Sequence, residues 1–380
     1  MNKEAVTDSN NQLSESGLAA RTGEPKGRLL IVVSFMGNAL LDRYVSGDLA
    51  QRLALKGWQV SVTSRRVGRL ARLLDMLQAA VRRRRDYDAA LVDVFSGPAF
   101  RWAEAVCGLL RRLNKPFILT LHGGNLPAFA KRCPWRVELL LGSAAAVTTP
   151  SRHIQQALSC FRHDLQVIPN GLDLGRYQFR LRHKAAPELV WLRAFRDIYN
   201  PTLAPHVVAE LVGDFPNVHL AMAGPDQGDG SLLDTQRLAA RLGVPDRVSY
   251  PGAVPKDKVA DWLTRGDIFL NTTNYESFGV SVMEAAASGL CIVSSRVGEL
   301  PYLWADGTDC MLVPPNDAKA MASAVRRVLT DPALAESLSF NARAKAEQFD
   351  WTLILPRWER LLSQTAESSI VRNASALDSF

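Results

Sequence analysis

No stretch of the 380 residues approaches the roughly 20 consecutive apolar residues of a membrane-spanning helix, so none reads as a span. Cysteine is scarce: five residues, at 107, 133, 160, 291 and 310, odd in number and without a Cys-x-x-Cys pair. That gives no zinc signature and points to reduced thiols in a cytoplasmic protein. Residues 1–27 lack an apolar run of signal-peptide length. Polar and rich in Ser, Asn and Glu, they read as a disordered tail. No Asp-x-Asp pair falls where a diphosphate-bound metal would need it, and Asp226 and Asp229 in their Gly-rich loop read as a solvated turn.

What is present is an ordinary globular composition, 47% hydrophobic and 22% charged, in a chain longer than one core usually supports. Two domains are therefore expected. The net charge of +7 is unevenly spread, with 21 Lys and Arg against 10 Asp and Glu between residues 28 and 175. The remainder is mildly acidic, so only one half is suited to an anionic surface or polymer.

Short apolar, β-branched runs alternate with amphipathic helical stretches along the whole chain. In the first half the strand candidates are Leu29–Phe35, Val60–Thr63, Ala89–Phe95, Phe117–Leu121, Ala145–Thr148 and Gln166–Ile168. The rhythm restarts after 174–187 with Leu189–Leu192, Val218–Met222, Ile268–Leu270, Cys291–Ser294 and Met311–Val313. Such alternation predicts parallel sheets with crossover helices, an α/β fold of two Rossmann-like, doubly wound domains facing a central cleft. The boundaries expected are 28–175 and 176–349, then a helix over 350–365 with Pro356 as a kink, then a disordered tail from 366. Trp351, Leu355, Trp358 and Leu362 share one face of that helix, which could pack on its own domain or bridge the two.

Asn274 to Gly289 (NYESFGVSVMEAAASG) carries two carboxylates eight residues apart. Glu276 falls in a strand-to-helix loop and Glu284 inside the helix that follows. A ligand could reach both from the helix N-terminus along its exposed flank. The N–H groups around Ser277, Phe278, Gly279 and Val280 would point at the same ligand and favour an anion such as a diphosphate. Spacing alone also permits two solvated surface acids.

The surrounding residues decide between these. Together with Val297-Gly-Glu-Leu-Pro301, His122-Gly-Gly124, Thr149-Pro-Ser151, Val167–Asp173 and Asp309–Asp317, the segment resembles the signatures of the GT-B glycosyltransferases, within them the retaining glycosyltransferase family 4. The resemblance runs from about Arg28 to Leu362. It implies that Glu284 accepts hydrogen bonds from the donor ribose and that Glu276 binds the transferred sugar. It implies that Ser277–Val280 hold the diphosphate and that Gly37, with Asn38 beside it, lets a loop of the first domain approach it. His122 would meet the donor sugar, and Gly252, Ala253 and Val254 would pair with the nucleobase through backbone groups. Arg193 would grip the leaving diphosphate, and the final helix would return to the N-terminal domain. Family members rely on Arg, Lys and helix dipoles rather than a metal, so no metal and no cofactor is expected, with the nucleotide sugar as substrate.

One feature departs from the pattern. The family has a Lys five residues after the Arg, whereas residue 198 is Ile and no Lys follows until 256. Arg196, with the Tyr199 hydroxyl, is the expected substitute. The departure keeps two alternatives open, a nucleotide-sugar epimerase on the same fold and a pseudo-enzyme that binds sugar nucleotides without turnover.

Val67, Leu70, Leu74, Leu77 and Val81 share one helical face among Arg65, Arg66, Arg69 and Arg72, and Arg82–Arg85 end the segment. A basic amphipathic helix of this kind fits an anionic membrane surface, or else covers the sheet with its apolar face in the core. In this fold the N-terminal domain binds the acceptor, so a saccharide or lipid-linked acceptor and a cytoplasmic, peripheral membrane location are expected. Nucleic acid is unlikely as a partner, since no nucleic-acid motif accompanies the charge.

Overall fold

The computed structural model describes residues 25–33, 45–63 and 68–377. In the first half, strands β1 (Arg28–Val32), β2 (Gln59–Thr63), β3 (Ala89–Val94), β4 (Phe117–Leu121), β5 (Ala146–Thr149) and β6 (Gln166–Val167) alternate with helices α1 (Val45–Leu55), α2 (Arg69–Arg82), α3 (Pro98–Arg112), α4 (Leu126–Arg132), α5 (Pro134–Gly142) and α6 (Arg152–Leu158). The second half continues with β7 (Glu188–Leu192), α7 (Leu203–Leu211), β8 (His219–Ala223), α8 (Ser231–Arg241), β9 (Val248–Gly252), α9 (Val259–Leu263) and β10 (Ile268–Asn271). It ends with α10 (Val280–Ala287), β11 (Cys291–Ser295), α11 (Leu300–Leu303), β12 (Met311–Val313), α12 (Ala318–Thr330), α13 (Pro332–Glu347) and α14 (Trp351–Leu377).

The strands form two parallel six-stranded sheets, in the orders β2-β1-β3-β4-β5-β6 and β12-β11-β10-β7-β8-β9. Both orders are doubly wound, as the strand–helix alternation leads one to expect. Each sheet changes direction between two central strands, β1 and β3 in the first and β7 and β10 in the second. At those points the loops leaving adjacent strands part and open a crevice at the strand C-terminal ends. Buried β-branched and leucine-rich runs such as Phe117–Leu121 and Cys291–Ser295 are what two-sided burial under helices requires.

The chain crosses between the halves twice, and the crossings hold each other. Leu172 N–H donates to Phe349 O at 2.8 Å and Trp351 N–H to Leu172 O at 3.1 Å. Beyond the second crossing, Trp351, Ile354, Leu355, Trp358, Leu361 and Leu362 pack with Leu29, Ile31, Leu53, Trp58, Leu91 and Ile118 of the first half. The last helix therefore returns to the N-terminal sheet. It runs through Pro356 and on to Leu377. This corrects the expectation of a disordered tail from 366, since residues 366–377 contain no Pro or Gly and continue the helix without a stop signal.

Helix α2 does not cover the sheet with its leucine-rich face in the core, one of the two arrangements expected above. Its buried side carries Arg72, Met76 and Ala80, whereas Leu70, Leu74 and Val81 are 79%, 58% and 37% exposed. Arg72 is accommodated with its guanidinium 5.8 Å from the Trp102 ring centre. The leucine face looks outward.

Candidate active site

The loop leaving β7 and the loop leaving β10 flank the direction change of the second sheet, and they are tied together. Asn274 N–H donates to Ile198 O at 3.0 Å, and the Thr272 hydroxyl donates to Tyr199 O at 2.9 Å while accepting from Trp191 Nε1. This stitching puts Arg193, the first residue after β7, into an ion pair with Glu276. The Tyr199 ring centre lies 4.8 Å from the guanidinium carbon. Burial pushes the Arg193 pKa down, and the fields of Tyr199 and Glu284 oppose that shift. One guanidinium thus serves both glutamates.

Glu276 is itself buried, and its Oε1 accepts the N–H groups of Ser277 and Phe278 at 3.1 and 3.4 Å. Its own carboxylate therefore occupies the anion position expected for a ligand at this loop. Helix α10 follows with no side chain capping its N-terminus. Gly279 precedes its first residue, the exposed Val280, while the Phe278 ring is buried against Phe349. The exposed flank expected of α10 does not exist, because Ser281 to Ala287 are all buried between sheet and neighbouring helices.

Glu284 is consequently buried too. The Tyr177 hydroxyl donates to its Oε1 at 2.9 Å. Burial pushes the Glu284 carboxyl above the usual carboxylate range, partly opposed by the Tyr177 hydrogen bond and by the charges of Lys256 and Arg193. Lys256 in turn reaches across the cleft to Asp48 of α1, at 2.6 Å.

From the other side, His122 stands just beyond β4 with Nε2 at 3.1 Å from Asp93 Oδ1 and its ring 5.6 Å from that of Phe95. Ser46 Oγ donates to the second Asp93 oxygen at 2.7 Å. Two residues on, a Cβ at Gly124 would lie 3.3 Å from Ser277 N and 3.4 Å from Glu276 C, a tight fit against backbone that glycine relieves where the two loops approach. His122 and Glu276 thus belong to one cleft. Gly298 makes the second close approach, since a Cβ there would lie 2.0 Å from Glu276 O. The next residue, Glu299, donates its N–H to that same oxygen at 3.1 Å. Its buried carboxylate reaches the first domain, accepting Ser151 Oγ at 2.7 Å and His153 N–H at 2.8 Å.

Gly252 ends β9, and its carbonyl already accepts Gly224 N–H at 2.8 Å; Ala253 beside it is exposed, and Val254 packs on the core. Arg196 is not brought to Arg193 by any contact; its charge acts on Asp229, which accepts Asp197 N–H at 2.9 Å. Gly37 and Asn38 lie outside the described residues. Among the described residues no three His, Cys, Asp or Glu cluster as metal ligands would, and no helix is long and apolar enough to cross a membrane.

Family comparisons divide the chain at the same place as the sheets do. Residues 44–176 match the model of Glycosyltransferase Family 4, and residues 189–331 match that of Glycosyl transferases group 1. The chain belongs to the family 4 glycosyltransferases. Among curated relatives of the chain, the D-inositol 3-phosphate glycosyltransferase of Streptomyces avermitilis is 27% identical over 272 residues, 67% of this chain and 59% of the relative. A second such enzyme, from Catenulispora acidiphila, is 32% identical over 270 residues, 66% of this chain and 63% of the relative. The chain thus spans about three-fifths of the length of these relatives. The fold matches sucrose-phosphate synthase of Thermosynechococcus elongatus at a TM-score of 0.75 and 19% identity, over 90% of this chain and 100% of that one. It also matches Anabaena HepE in complex with UDP-glucose at 0.69 and 17%, over 89% and 100%. The architecture is GT-B.

Within the cleft, Tyr177, Lys256, Asp48, Asp93 and Glu299 are candidate site residues that sequence reasoning missed. Each acts through a partner far away in sequence, and only the Gly-Glu-Leu-Pro run around Glu299 carried a local signal. Tyr177 allows a test of Glu284. On the expectation that Glu284 accepts ribose hydroxyls, for which the ionised carboxylate is the stronger acceptor, donor affinity should fall as pH drops through the raised Glu284 pKa. Tyr177→Phe removes a bond that favours the ionised form, and should move this acid limb to higher pH in a titration of donor KM. The same raised pKa means that the stability Glu284 contributes is fully present below the ordinary carboxylate range and is lost as pH rises through the folded-state value.

Proposed function

We propose that the protein transfers a sugar from a nucleotide-diphosphate donor to a hydroxyl acceptor with retention of configuration. The observation that carries this reading is the Arg193 guanidinium paired with Glu276, within the field of Glu284, at the direction change of the second sheet. That is where an open α/β sheet takes a nucleotide. UDP-glucose bound to the structurally similar HepE supports a nucleotide sugar as donor.

In this reading the diphosphate displaces the Glu276 carboxylate from Arg193 and takes up the open N-terminus of α10. Glu276, released, accepts hydroxyls of the sugar, and Glu284 those of the ribose. His122, oriented by Asp93, faces the sugar from the first domain. Charge developing on the leaving diphosphate is met by Arg193, by backbone N–H groups and by Arg196, so the reading needs neither metal nor cofactor. Closure of the two halves excludes water and completes the site. The acceptor is a saccharide or lipid-linked hydroxyl on the basic N-terminal domain, which faces an anionic membrane surface from the cytoplasm, in polysaccharide or glycolipid synthesis.

A panel of nucleotide sugars, scored for binding and for acceptor-dependent release of nucleoside diphosphate, tests this. Wild type should bind and turn over one donor class, Glu284→Ala should lose binding, and Glu276→Gln should lose turnover. Conversion of donor without any acceptor would point to an epimerase instead, and binding without release to a pseudo-enzyme.

A further inference from the structure

A cavity among the described residues lies away from the cleft. It is an open groove of about 730 Å³ between α2 and α3, within the size range of small-molecule sites. Leu77, Val81, Gly108 and Leu109 supply its apolar floor, and Arg82, Arg111 and Arg112 stand along it. The outward Leu70 and Leu74 of α2 extend the apolar strip beyond the groove. Exposed apolar side chains in a continuous strip mark a contact surface rather than a solvated face. The charge is equally unbalanced. Arg82, Arg83, Arg84, Arg85, Arg111 and Arg112 make no ion pair with a carboxylate among the described residues, whereas arginines such as Arg28, Arg136, Arg296 and Arg326 do. An apolar strip beside unneutralised arginines is complementary to a molecule with an alkyl chain and an anionic head.

We propose that the α2–α3 groove is a binding site for one acyl chain of an anionic membrane phospholipid, with Arg82, Arg111 and Arg112 holding its phosphate. The proposal rests on the membrane reading above and deepens it from a charged surface to a defined site. A bilayer would be met by Leu70 and Leu74, and the groove would draw one chain between the two helices. This would hold the N-terminal domain in a fixed attitude to the membrane rather than at a diffuse electrostatic distance.

Gly108 makes the site testable. A Cβ there meets nothing within 4 Å, so a larger side chain fits without disturbing α3 and fills the groove. Three probes are used on the full chain: vesicles with and without phosphatidylglycerol, dodecyl phosphate below its micelle concentration, and dodecyl maltoside as an uncharged counterpart. Wild type should sediment with the anionic vesicles only and bind dodecyl phosphate saturably, with little affinity for the maltoside. Gly108→Phe should weaken dodecyl phosphate binding by ~10-fold or more, the scale of a few methylenes left in water, while donor binding stays unchanged. The triple Arg→Gln variant at 82, 111 and 112 should lose the preference for phosphate over maltoside.

The outcomes separate the two readings. If wild type ignores anionic vesicles, the membrane reading falls and the site with it. If wild type sediments with them but Gly108→Phe binds dodecyl phosphate as well as wild type, the groove proposal alone falls. Concentration-dependent dimerisation abolished by Leu74→Asp would assign the strip to a second copy of the chain and overturn the lipid site.

Discussion

Arg193→Met is expected to reduce glycosyl transfer by about 10²–10³-fold, the usual result of removing one preorganised charge from a developing oxyanion. The same substitution should also destabilise the C-terminal domain, for a reason separate from catalysis. Glu276 is 6% exposed and Arg193 15% exposed at the side chain, so the variant leaves a carboxylate buried with no cation. Breaking a buried pair from one side costs about 3–5 kcal/mol. The double variant Arg193→Met/Glu276→Gln removes both charges and should recover most of that stability in urea denaturation, while turnover stays lost. Recovery of stability without activity would separate the pair's structural role from its chemical one. A single variant with wild-type turnover would remove Arg193 from the proposed mechanism.

Loss of the Glu299 carboxylate should have an effect of similar size by a different route. Glu299 is 1% exposed and makes two charge-assisted hydrogen bonds across the cleft, to Ser151 Oγ and His153 N–H. Each such bond contributes about 1.5–3 kcal/mol. Tyr302 adds a neighbouring link, its hydroxyl donating to Gln156 Oε1 at 2.9 Å. Glu299→Ala should therefore shift the two domains toward an open arrangement and lower kcat/KM by about 10²-fold, following population-shift arithmetic. Ser151→Ala, which removes one of these two bonds together with the Ser151 cap on Ile154 N–H and leaves the carboxylate, should fall between the variant and wild type in kcat/KM. Small-angle X-ray scattering gives the independent reading: the radius of gyration should rise for Glu299→Ala. An unchanged radius together with unchanged kcat/KM would show that the contact does not hold the cleft closed.

Much of this architecture is legible in the sequence because it depends on local period and local punctuation. Eleven strands could be read from apolar, β-branched runs, and α10 from Gly279 and the periodic residues after it. The Glu276–Glu284 segment, His122 and Arg193 also stood out, since each lies next to a strand end. What could not be read depends on three-dimensional neighbours. Tyr177 meets Glu284 across 107 residues and Lys256 meets Asp48 across 208, and neither pair leaves a trace in spacing. The orientation of α2 was ambiguous for a related reason. Periodicity marks an apolar face but not whether a sheet covers it, and here the smaller Met76–Ala80 side, with Arg72 against Trp102, takes the core. The proposed substitution of Arg196 for the absent lysine likewise depends on three-dimensional placement, since the contacts of Arg193 itself are with Tyr199 and Glu276.

The return of α14 to the first sheet has a consequence for how the molecule is made. The face of that sheet formed by Leu29, Ile31, Leu91 and Ile118 is covered in part by Trp351, Ile354, Trp358 and Leu362, which are synthesised after the whole of the second sheet. The second sheet, by contrast, takes all its strands and covering helices from the continuous segment between Glu188 and Phe349. Synthesis usually lets the first domain fold first. Here the order is inverted: the first of the two domains to leave the ribosome closes after the second, and a nascent chain halted before Trp351 would present a partly uncovered hydrophobic sheet to chaperones.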